Sequence, residues 1–146
     1  MVRRIAWFLA IAGAVPFIAA TAALYLSSSS SVRVPAIAAL VTYAAVILSF
    51  LGGIEWGLAI RDETGTESTR VIALGLSVVP SLAAWAVLWL DGPKWQVGTA
   101  LAIFVGVWVA DQWMAGKGLL PAWFIDLRTA VSALVALILA AALFAL

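Results

Sequence analysis

Glu55 is the only acidic residue inside an apolar run of this chain. It lies six residues before Arg61, about 9 Å along a helix axis, so it belongs near an interface and away from the centre of the run. An ionisable residue in such a setting is a functional candidate whose partner has to be named. Arg128 is the first choice for Glu55, and Arg61 is the alternative. A salt-bridged interfacial carboxylate that serves only packing is the simpler reading. Asp111, Asp126 and Arg128 complete a polar cluster towards the same end. Asp111 is read as closing a helix, where the macrodipole prefers a cation, which suggests pairing with Lys117 or Arg128. Asp126 falls near a helix start, where an acid is favoured. Plain solvation at headgroup level also explains these charges.

The elements that must position these groups are five apolar runs: Ile5–Leu26, Pro35–Ile60, Val71–Leu90, Trp95–Ala110 and Thr129–Leu146. A hydrocarbon core about 30 Å thick needs roughly 20 apolar residues of helix. The composition is 66% hydrophobic and 10% charged, against about 25% charged in a soluble domain. The expectation is an all-α, integral membrane bundle of five transmembrane helices forming one multi-pass domain over 1–146, with helices near 5–26, 35–60, 71–90, 95–113 and 121–146.

The first run follows Arg3 and Arg4 as a signal peptide would, but it spans 22 residues, while a signal core has about 7–15. It is read as a retained helix. Six basic residues (Arg3, Arg4, Arg61, Arg70, Lys117 and Arg128) fall on the side of the N-terminus and the second and fourth joints; Arg33 and Lys94 fall on the other. The positive-inside rule then places the N-terminus in the cytoplasm and the C-terminus outside. Tryptophans at both ends of the spans fit interfacial belts.

Composition also excludes several chemistries. The chain has no Cys and no His, which removes disulfides, thiol catalysis and His- or Cys-ligated metal sites built from this chain alone. No Ser–His pair, HExxH motif or phosphate loop occurs, so no catalytic residue, metal or cofactor is expected. Magnesium bound by Glu55, Asp111 and Asp126 ranks last. With a net charge of +1 and no basic cluster, a nucleic-acid partner is not expected.

Membrane helices associate through small residues, because lipid is as apolar as leucine. The second run carries Ala45, Ser49, Gly53 and Gly57 at four-residue spacing, and the fourth carries Gly98, Ala102, Gly106 and Ala110. Both ridges are expected to make close packing contacts, within the bundle or with a partner. On a helical wheel Glu55 lies away from the Ser49–Gly53–Gly57 ridge and faces another neighbour. Pro16 and Pro80 are expected to kink the first and third helices. Ser68 or Thr69 is the expected cap of the third helix. Asp91-Gly92-Pro93-Lys94 reads as a tight turn joining the third and fourth helices in an antiparallel hairpin. The joint from Asp111 to Arg128 is expected to be the longest, with Pro121 in the first turn of the fifth helix.

Three segments, YAAVILSFLGGIEWGLA (Tyr43–Ala59), SVVPSLAAW (Ser77–Trp85) and LLPAWFIDLR (Leu119–Arg128), resemble, in order, the domain-of-unknown-function 3429 family. The resemblance implies a multi-pass protein of bacterial inner membranes or mitochondria and carries over no catalytic role. It also implies that the position of Glu55 often holds a His or another polar residue, so an acid there is a departure. Ser49, Gly52, Gly53, Glu55, Trp56, Gly57, Pro121, Trp123 and Arg128 are grouped as a candidate surface at the cytoplasmic side.

The function expected first is a non-catalytic accessory or assembly factor of the bacterial inner membrane, bound to membrane lipid and to an integral membrane partner or to further copies of itself. A small oligomeric transporter or channel using Glu55 is the alternative, and a lipid- or quinone-binding protein the second.

Overall fold

The computed structural model describes residues 1–61 and 66–146. Asp62 to Gly65, in the middle of the polar loop expected between the second and third spans, lie outside the described residues. The described residues form six helices and no strand: α1 (Val2–Ala12), α2 (Val15–Leu26), α3 (Ser30–Arg61), α4 (Glu67–Val87), α5 (Pro93–Gly116) and α6 (Ala122–Ala145). With α1 and α2 taken together, five segments are long and apolar enough to cross a membrane.

The first span is broken rather than bent. Pro16 stands in the first turn of α2, where its missing N–H costs nothing, and α1 ends at the Gly13 cap just before it. The Tyr43 hydroxyl of α3 donates to the Gly13 carbonyl at 2.9 Å, which satisfies an acceptor that the break leaves free. The second span starts earlier than Pro35, because α3 begins in the serine run at Ser30. This places Arg33 on the helix, from where its guanidinium donates to the carbonyls of Leu24 (2.6 Å) and Ala145 (2.7 Å). One cation thus caps the ends of both α2 and α6, where helix dipoles favour positive charge.

The cap of α4 is Thr66, not Ser68 or Thr69: its hydroxyl accepts from the Thr69 N–H at 3.3 Å. Glu67 in the first turn adds the acid that a helix start favours. The turn into α5 uses Gly92 at φ 92°, followed by Pro93 in the first turn of the helix. The joint expected to be longest is short. Helix α5 continues to Gly116, and Gly118 at φ 77° reverses the chain. Gly118 donates to the Ala115 carbonyl and Leu119 to that of Met114, a helix stop that needs a left-handed residue. Asp111 is therefore inside α5 and does not close it, so the dipole argument made for it from sequence does not apply.

Helix α3 is the hub and packs against α2, α4 and α5; α6 closes the bundle against α2 and α5. Two apolar clusters fill the interior. The larger includes Phe17, Leu40, Leu48, Phe104 and Leu139, and the smaller includes Ala59, Ala73, Met114, Leu119 and Leu120. Along α3 and α5 the two clusters are separated by Glu55 and Asp111, which form a buried polar layer.

Candidate functional site

The polar layer is assembled from three helices. Glu55 of α3 is 2% exposed, Asp111 of α5 0% and Arg128 of α6 6%. The Arg128 guanidinium donates from Nε to Asp111 Oδ2 at 2.7 Å, and its Nη2 lies 2.7 Å from the same oxygen. Both contacts fall on one carboxylate oxygen, and Oδ1 of Asp111 has no hydrogen-bond partner. Neither oxygen of Glu55 accepts from a donor, but its carboxyl lies within hydrogen-bonding reach of that of Asp111, with Arg128 the positive charge acting on both. Two carboxyls thus face one guanidinium. When all are ionised the layer carries one negative charge in excess, inside a bundle where such charge is costly.

The surrounding structure holds this layer in place. The Ser77 hydroxyl of α4, buried where that helix crosses Gly52, donates to the Leu74 carbonyl of its own helix at 2.7 Å. Trp108 Nε1, about one turn before Asp111, and Nε2 of the adjacent Gln112 both donate to the Thr129 hydroxyl, each at 3.1 Å. That clamp ties α5 to α6 beside the ion pair. The reversal at Gly118 is what allows Arg128 to return against Asp111. Glu55 also borders a cleft of about 240 Å³ between α3, α4 and α5, with otherwise apolar walls.

The residues grouped from sequence as one surface separate into two populations. Gly52, Glu55 and Arg128 are interior, whereas Ser49, Gly53, Trp56 (44% exposed) and Gly57 face outward. Arg128 pairs with Asp111 rather than with Glu55. Arg61 and Asp126 are exposed and outside the layer. Pro121 stands at the cap position before α6. Trp123 packs edge-on to Phe124, and the Arg3 guanidinium lies 5.7 Å from its ring centroid.

The glycines of the small-residue ridges make no close crossing within the bundle. A β-carbon at Gly53, Gly57 or Gly106 would meet nothing within 4 Å, and one at Gly98 would only touch Leu143 at 3.9 Å. The close approach is made instead at Gly52, where a β-carbon would collide with the Ser77 carbonyl. Helices α3 and α4 cross there backbone to backbone. Spacing alone favoured the four-residue ridge. The hint of Gly52 was that it shares a helix face with Leu48 and Glu55, the buried face of α3.

Five segments long and apolar enough to cross a membrane, packed around a buried polar layer, define a polytopic helical membrane protein. Residues 2–144 match the family model described as "Protein of unknown function (DUF3429)", and the chain belongs to that family. It is 35% identical over 126 residues to "Transmembrane protein 69" of Xenopus tropicalis, covering 84% of this chain and 47% of that protein. The chain therefore spans about half the length of the curated relative it matches. No solved structure matches.

Proposed function

We propose that this protein is a non-catalytic accessory or assembly factor of the bacterial inner membrane, working through contacts with other membrane helices. The observation that carries this reading is the outward Ser49–Gly53–Gly57 ridge of α3. The bundle makes its own close crossing at Gly52 and leaves this ridge unused. Small residues let another helix approach closely, which is how helices associate in lipid. The composition supports the non-catalytic part, since the chain lacks Cys and His. The asymmetry of basic residues supports an N-terminus in the cytoplasm and a C-terminus outside, with the Glu55–Asp111–Arg128 layer nearer the cytoplasmic face.

A transport role is the second reading. It is favoured by the free oxygens of Glu55 beside a cleft that opens between helices. Extraction in mild detergent from cells expressing the protein at native level, followed by native mass measurement, separates the two. Stoichiometric recovery with a larger membrane complex supports the accessory reading. A homo-oligomer or a solitary chain carrying only lipid rejects it and leaves transport as the reading to pursue.

A further inference from the structure

We propose that the cleft between α3, α4 and α5 binds one lipophilic ammonium ion, an N–H-bearing monocation on an apolar body. The inference is independent of the accessory reading, because the ridge and the cleft lie on opposite sides of α3.

The cleft offers acceptors and no donors. Glu55 on its wall has two carboxyl oxygens that accept from no donor, with only the Asp111 carboxyl beside them. Leu76 and Pro80 also line it. Pro80 has no N–H, so it cannot donate to the Leu76 carbonyl one turn earlier, as a helix would require. The buried hydroxyl of α4, that of Ser77, is committed to Leu74. Ile103, Gly106 and Ala110 supply an apolar wall from α5. An occupant therefore has to bring its own hydrogen-bond donors, because a buried acceptor left unmatched is costly.

Charge determines which kind of donor fits. Asp111 is engaged by Arg128, and no cation is paired with Glu55 among the described residues. When both carboxyls are ionised, a monocation restores balance in the layer, whereas an alcohol or an amide does not. The cleft, at about 240 Å³, holds a body the size of one ring rather than a long-chain lipid. Val79 on its rim is more than half exposed on the outer face of α4, so a ligand dissolved in the membrane can reach it laterally.

The test uses the full chain in nanodiscs and ligand-observed NMR with benzylammonium as probe. Benzyl alcohol keeps the body without the charge, and benzyltrimethylammonium keeps the charge without N–H donors. The expected result is saturable binding of one benzylammonium per chain, at least about tenfold weaker for either control, since hydrogen bonds to charged groups are worth a factor of ten or more. Glu55→Gln should abolish the saturable component. Gly106→Leu should do the same by filling the cleft. The β-carbon at that position meets nothing within 4 Å, so this variant tests the cleft independently of whether Glu55→Gln folds. Equal binding of all three probes, or undiminished benzylammonium binding in Gly106→Leu, would overturn the proposal and show simple partitioning into the bilayer.

Discussion

Gly52 and Gly53 are neighbours on α3, yet one is sealed against the backbone of α4 and the other faces open space. The same division runs along the helix. Leu48, Gly52, Glu55 and Ala59 form its buried face, and Ser49, Gly53, Trp56 and Gly57 form an outward one. Both faces are rich in small residues, but they do different work. The inner face brings two helices close and places a carboxyl next to an ion pair. The outer face makes no close crossing at Gly53 or Gly57 and is exposed. Small size at helical spacing therefore marks a capacity for close approach without saying what approaches.

The largest expected effect comes from the inner side of this comparison. Arg128→Met removes the only guanidinium of the buried layer and leaves two carboxyls facing each other. Removing one partner of a buried pair costs about 3–5 kcal/mol, so the variant should unfold in detergent at markedly lower denaturant. Stability equal to that of the parent protein would mean that the Asp111–Arg128 pair does not hold α5 to α6.

A smaller effect separates the two glycines directly. Gly52→Ala should destabilise by about 1–3 kcal/mol, because the new methyl group drives α3 away from Ser77. Gly53→Ala should stay within about 0.5 kcal/mol, as surface substitutions do. Equilibrium unfolding of the two variants side by side measures the difference. Equal costs would remove the distinction between the faces.

Much of the architecture is legible in the sequence, because the apolar runs are long and their polar joints short. The five spans and the tight turn at Gly92-Pro93 follow from that pattern, and the family from the resemblance of Tyr43–Ala59, Ser77–Trp85 and Leu119–Arg128. The breaks and caps are less legible. Gly13 and Pro16 can either kink a helix or end it, and the choice is made by Tyr43, 30 residues from Gly13, reaching the freed carbonyl. Arg33 reads as a loop charge until α2 and α6 bring their carboxyl ends to it. Glu55, Asp111 and Arg128 are individually conspicuous in an apolar chain. Which two of them pair depends on the register between α5 and α6, fixed by Gly118 and by the Thr129 clamp, and neither has a marker in the local sequence.

Site-directed photo-crosslinking in native membranes tests the outward role of α3 most directly. The chain contains no Cys, so a single cysteine carrying a benzophenone label can be placed at Gly57, with Leu137 on α6, 71% exposed, as the lipid-facing control. The account predicts a discrete protein adduct from Gly57→Cys and only lipid adducts from Leu137→Cys. Lipid adducts alone from both positions would contradict it.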